Sequence, residues 1–186
     1  MTNLNFQLLL KVSMSSPALA LADARLEFVT QWGVLGSAWG ISRTMAMLHA
    51  LLITSQVPLS TDEAMEALTI SRGNANTNLR ELVSWGLVRK VVQPGERRDY
   101  FEAEKDVWKI FCTVVRERKR REVDPALAVL RSCAERTASL RGSEAREFNG
   151  LMVAIGEFVE LAARVMDRVA ASERSKIVPA VLKLFK

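Results

Sequence analysis

Residues 58–103 read PLSTDEAMEALTISRGNANTNLRELVSWGLVRKVVQPGERRDYFEA, and the order of elements in them decides the fold. Ser60 and Glu63 have the S-x-x-E spacing of a capping box, in which each side chain satisfies an orphan backbone N–H. Ala64, Met65, Ala67 and Leu68 form the buried side of the short helix that follows. Thr69 and Ile70 make a turn. Ser71 caps a second helix, which runs to Trp85 and stops at Gly86. Residues 87–92 and 97–103 read as two strands, with Pro94-Gly95 as the turn between them. A helix, a turn, a polar-faced second helix and a hairpin with a basic tip make a winged helix-turn-helix, a shape that fits one helix into the DNA major groove.

Stepping 100° per residue along the second helix separates two faces. Ala75, Leu79 and Leu82 define a core side, flanked by Asn78, Val83 and Trp85. Gly73, Thr77, Arg80 and Ser84 lie opposite, with Asn74, Asn76 and Glu81 at the shoulders. Asn can bond an adenine edge bidentately, Arg can bond guanine or phosphate, and Thr can meet a thymine methyl. Gly73 admits a close approach of phosphate, and Arg72 stands at a helix N-terminus that itself attracts phosphate. A plain solvated face would use Glu, Lys or Gln in place of three asparagines, since Asn is a poor helix former. At the wing tip, Arg97 and Arg98 suit the minor groove or its phosphates; the structural alternative is a charged solubility loop, or Arg97 paired with Asp99 or Glu96. The run 116–122, RERKRRE, reads equally as a solvated helix face or a phosphate contact.

Outside this segment the chain is helical. Residues 18–37 carry Leu19, Leu26, Val29 and Leu35 at helical spacing, and Gly33, Gly36 and Gly40 predict close packing or a break. Residues 41–55 form a second apolar helix, ended before Pro58. A helix is expected over 104–121. Asp124-Pro125 opens another as cap and first-turn proline, to about 140. A long helix over 143–171 carries Phe148, Leu151, Met152, Ile155, Phe158, Val159, Ala162, Val165, Met166 and Val169 at spacings of three and four, and a last short helix spans about 173–185. Residues 1–20 read as a loose segment, 21–121 as the winged domain with its N-terminal helices, and 122–186 as a helical dimerisation region.

Composition agrees with this organisation. The chain has 186 residues, 49% of them hydrophobic, enough for a globular core and against wholesale disorder. The net charge is +5, and residues 71–121 hold thirteen Lys/Arg against seven Asp/Glu, a net of +6 that leaves about −1 for the rest. A locally basic domain on a near-neutral body favours a polyanionic partner. Cys112, Cys133 and the single histidine, His49, make no metal-ligand pattern, and His49 sits in an apolar helix as a core or interface residue. Neither a cofactor nor a catalytic constellation is expected, nor a membrane span or a secretory signal. The chain is expected to be cytoplasmic.

With these residues in view, the chain resembles the GbsR branch of the MarR-type bacterial transcription regulators. The resemblance rests on Trp39-Gly40 followed by Arg43, on Pro58-Leu59-Ser60, on Ser71-Arg72-Gly73-Asn74 continued by Asn78-Leu79-Arg80-Glu81-Leu82, on Trp85-Gly86-Leu87-Val88, and on Gly95-Glu96-Arg97-Arg98-Asp99-Tyr100. It covers about residues 25–120. It implies a homodimer, joined through helices outside the winged domain, that reads a near-palindromic operator in double-stranded DNA. Named members answer to choline or glycine betaine, but no residue pattern here identifies an effector pocket, so an effector is carried over only as an unidentified small molecule. The expected fold is therefore mainly α, a winged helix-turn-helix with long helices for dimerisation. The expected function is sequence-specific transcription regulation, with Arg72, Gly73, Asn74, Asn76, Thr77 and Arg80 on the major groove and Arg97 and Arg98 on the flanking backbone. The rival is a winged-helix module that binds protein or RNA without operator specificity.

Overall fold

A computed structural model describes residues 17–174, which divide into two compact units, 17–104 and 105–174. The boundary drawn from sequence at 121–122 lies inside the second unit.

The first unit begins with α1 (Pro17–Ala38) and α2 (Arg43–Thr54). Proline at the first position of α1 costs no hydrogen bond, because that N–H has no partner in a helix anyway. Residues 17–20 are thus helical, not part of a loose segment; residues 1–16 lie outside the described chain. The two helices pack tightly where a Cβ on Gly33 would overlap Met47 and one on Gly36 would overlap Ala46. Both expected outcomes of the glycine pattern occur together. Gly33 and Gly36 give the close approach, and Gly40, with φ +78, turns the chain in the left-handed region that favours glycine. Only Val29 of the four spaced apolar residues of α1 is buried; Leu19, Leu26 and Leu35 face outward.

Next come β1 (Leu59–Ser60), α3 (Thr61–Leu68), α4 (Arg72–Trp85), β2 (Val88–Val91) and β3 (Tyr100–Ala103). The antiparallel sheet has the order β1-β3-β2, with Leu59 opposite Phe101 and Lys90 opposite Phe101 on the other side. The two wing strands are shorter than the sequence suggests, and β1 is an addition to it. A two-residue strand has no alternation to detect; it forms because β3 offers it an edge. Ser60 ends β1 and caps α3: its N–H and Oγ each donate to Glu63 Oε2 at 2.7 Å, and its Oγ accepts from Glu63 N at 3.3 Å. The core is built from Leu48 and Leu52 of α2, Ala64 of α3, Ala75, Leu79 and Leu82 of α4, and Phe101 of β3, all buried.

The second unit holds α5 (Val107–Arg118), a π-helical stretch (Lys119–Val123), α6 (Asp124–Thr137), α7 (Ser143–Ala171) and a terminal 3₁₀ turn (Ser172–Arg174). Asp124-Pro125 does not start a fresh helix. Asp124 is itself helical, with φ −62 and ψ −44. The chain runs on from α5 to α6 through a turn widened by one residue, which accommodates the proline that an unbroken α-helix would not. Within the unit, Asn149 Nδ2 on α7 donates to Ala134 O at 2.6 Å and Thr137 Oγ1 at 2.9 Å on α6. Cys112 is fully buried on α5, its Sγ 3.3 Å from Val169 O. The last expected helix, beyond Arg174, lies outside the described residues.

Candidate nucleic-acid interface

Helix α4 is fixed at both ends. Ser71 Oγ accepts from Asn74 N at 3.3 Å, and Gly86 closes the helix in the left-handed conformation at φ +79. Burial then sorts its residues. Ala75, Asn78, Leu79, Leu82 and Trp85 are buried; Arg72, Gly73, Asn74, Thr77, Arg80 and Ser84 are exposed; Asn76 and Glu81 are half-buried. The core and outward sides are those that the 100° steps predict. Trp85 Nε1 donates to Glu81 Oε1 at 2.9 Å.

The outward side chains differ in how free they are. Arg80 forms no ion pair among the described residues, and nothing lies within 4 Å of where a Cβ on Gly73 would stand. Arg72 is paired through Nη2 to Asp62 Oδ1 on α3. Asn74 is occupied at both ends of its amide: its Nδ2 donates to Thr44 Oγ1 on α2 at 3.2 Å, and its Oδ1 accepts from Asn78 Nδ2 at 2.7 Å. Asn78 Nδ2 also donates to Asn74 O at 2.8 Å. This polar chain ties the start of α4 to the start of α2, so Asn74 braces the helix. Sequence inspection missed Thr44 and Asp62. Thr44 is thirty residues from its partner and carries no local signal, whereas Asp62 stands ten residues before Arg72 in the helix that α4 packs against.

The wing shows the same division. Arg89 pairs with Glu102 at 2.7 Å and Lys90 with Asp99 at 2.6 Å, both across the β2–β3 ladder. Lys90 also lies 5.9 Å from the centre of the Phe101 ring. Asp99 is thus taken by Lys90, and the ion pair of Arg97 with Asp99 or Glu96 does not form. Arg97 and Arg98 stand exposed at the tip beside Gly95, whose φ is +84, with no ion pair among the described residues. Two hydrogen bonds from Ser60 hold the Glu63 carboxyl below its usual range, and the charge of Arg98 adds to that.

The basic run of the second unit is largely neutralised within itself. Arg116 pairs with Glu173, Arg118 with Glu122 at 2.9 Å, Lys119 with Asp124 and Asp167, and Arg120 and Arg121 with the buried Glu117. Hydrogen bonding to Asp124 foremost, then to Asp167, raises the Lys119 pKa. Among the described residues no His/Cys/Asp/Glu group could hold a metal, and no helix is long and apolar enough to cross a membrane. A cleft of about 340 Å³ opens among α1, α2 and α3, its lining mostly apolar and including Leu26, Val29, Leu51 and Leu68, with Arg25 its one charged residue.

No family model matches the chain. It is 31% identical over 111 residues to the HTH-type transcriptional regulator MmpR5 of Mycobacterium tuberculosis, which covers 59% of this chain and 62% of that protein. Over 98 residues it is 24% identical to the putative HTH-type transcriptional regulator YvaV of Bacillus subtilis, covering 53% and 55%. Over 85 residues it is 29% identical to the HTH-type transcriptional repressor GbsR of the same organism, covering 46% and 47%. The chain spans about half to three-fifths of the length of these curated relatives. They are helix-turn-helix regulators of more than one name, so the likeness does not single out the GbsR branch. The crystal structure of a transcriptional regulator superposes with a TM-score of 0.52 at 23% identity, over 78% of this chain and 99% of that one. The fold is therefore a winged helix of the kind found in a known transcription regulator, on a chain similar in sequence to helix-turn-helix regulators.

Proposed function

We propose that the chain is a sequence-specific DNA-binding transcription regulator that acts as a homodimer on a near-palindromic operator. The observation that carries this proposal is the pattern of unpaired groups. Arg80, Arg97 and Arg98 are exposed on the helix-turn-helix and wing tip of one small domain with no ion pair among the described residues, whereas the stem cations Arg89 and Lys90 are paired across the ladder. Thr77, Arg80 and Asn76 read bases in the major groove. Gly73 admits the phosphate backbone, Arg72 engages an anion at the helix start, and Asn74 keeps the helix in place. Arg97 and Arg98 hold the flanking backbone or minor groove. GbsR is a repressor by name, and repression is the sense proposed here. A small-molecule effector would have the apolar cleft of the first unit, whose volume falls in the ordinary range of ligand pockets of about 300–1,000 Å³.

The test is selection of bound duplexes from a random DNA pool by the full chain, with single-stranded RNA as competitor. Enrichment of a two-fold related motif, unaffected by the RNA, is expected. Equal retention of all sequences, or displacement by RNA, overturns the proposal in favour of a general interaction module.

A further inference from the structure

Among the described residues, the Asp62 side chain bonds to Arg72, at the start of the outward face of α4, and makes no other bond. The capping box of α3 is complete without it, made by Ser60 and Glu63. The pair is open to water, with 62% of the Arg72 side chain and 44% of the Asp62 side chain exposed, so it contributes little to folding. Nη2 is the only guanidinium nitrogen of Arg72 in the contact. Arginine carries five donors in a rigid fork, which leaves Nε and Nη1 for a second acceptor.

We infer that Asp62 is a positioning residue for Arg72, and that through it Asp62 sets how well the protein discriminates its operator from other DNA. This rests on the DNA-binding function proposed above. Two physical effects act in the same direction. In the operator complex, an arginine already held in one geometry loses less conformational freedom when it binds. In loose complexes on other sequences, the backbone passes at varying distance, and the Asp62 carboxylate keeps Arg72 from reaching out to it. An element that weakens the wrong complexes in this way raises specificity without raising affinity.

The experiment compares wild type, Asp62→Asn, Arg72→Ala, Arg72→Lys and the Asp62→Asn/Arg72→Ala double variant. Each full chain is measured on the selected operator and on random duplex across a salt series, beside its Tm. Asp62→Asn is expected to lower the operator-to-random affinity ratio about fivefold, the low end of what one oriented contact supplies. The loss should come mainly from tighter random binding, with a salt slope steeper by about one unit for the freed arginine. Arg72→Lys, which keeps the charge and removes the fork, should lower the ratio by a similar factor with Asp62 intact. In the Arg72→Ala background, Asp62→Asn should change the ratio less than about twofold, since positioning needs both partners. A wild-type ratio in Asp62→Asn, or an equal fall in the Arg72→Ala background, overturns the inference: the first makes Asp62 irrelevant, the second makes it bulk charge. A wild-type chain that prefers no duplex at all fails earlier, at the DNA-binding proposal, and takes this inference with it.

Discussion

Gly73 is a glycine without an internal reason. It lies in the first turn of a helix, has an ordinary helical backbone, and has open space where a side chain would be. Alanine there should stabilise the fold by about 0.5–1 kcal/mol, while pushing the approaching DNA backbone away and weakening binding on the order of tenfold. A Tm that rises as affinity falls is the expected signature of Gly73→Ala; affinity that holds or improves would remove the glycine from the interface. His49 makes the opposite kind of statement. It is 6% exposed, its Nε2 has no hydrogen-bond partner among the described residues, and burial pushes its pKa down from 6.5 to about 4. The folded chain therefore keeps His49 neutral where the unfolded chain would protonate it. Its contribution is fully present above pH 6.5 and is lost as pH falls toward 4, by about 3 kcal/mol in all. Urea melts of wild type and His49→Gln should diverge across that window, with the variant the flatter of the two in pH. Parallel pH profiles would mean that His49 opens to water before it titrates.

At the scale of elements, the wing is a neutral stem with a charged tip. Arg89 and Lys90 are paired across the ladder, which leaves Arg97 and Arg98 as the wing cations without an ion pair among the described residues. Replacing both tip arginines by Ala should weaken binding to every sequence alike and flatten the salt slope by about one unit per lost contact; an unchanged slope would take the wing off the DNA. This stem pairing was not legible in the sequence, which shows the charges of residues 89–102 but not their register. Where a signal is local, the sequence carried it. The Ser60–Glu63 box, the Ser71 cap, the Gly86 stop and the two faces of α4 are all fixed by residues within one or two turns of each other. Where the cause is tertiary, the signal failed. Strand β1 exists only because β3 lies beside it. Asn74 turns to Thr44 of a helix thirty residues away. Pro125 marks a helix start in most contexts, yet here the helix widens and carries on.

At the scale of the whole molecule, α7 presents an exposed apolar surface among the described residues. On α7, Phe148, Leu151, Ile155, Phe158 and Val165 are exposed, Phe158 by 72%, at spacings that make one stripe. Exposed apolar patches commonly serve as interaction surfaces, and the proposed homodimer would join here. Light scattering at micromolar concentration should return twice the 20.7 kDa chain mass, and Phe158→Asp should return the single mass and lose the preference for two-fold related sites. A wild-type monomer that binds a palindrome tightly would show that the stripe has another use. The second unit also has an intrinsic tempo. In the π-helical stretch Lys119–Val123, the N–H of Asp124 reaches back five residues to Lys119, and Pro125 has no N–H to return to the turn before it. A helix fluctuates open where its ladder is poorest. After transfer to heavy water, the amides of 119–124 should trade their protons well ahead of those in the middle of α5 and α6. The long helical run is then two slow-exchanging rods with a quick joint, and whatever bending the second unit undergoes in time begins at that joint.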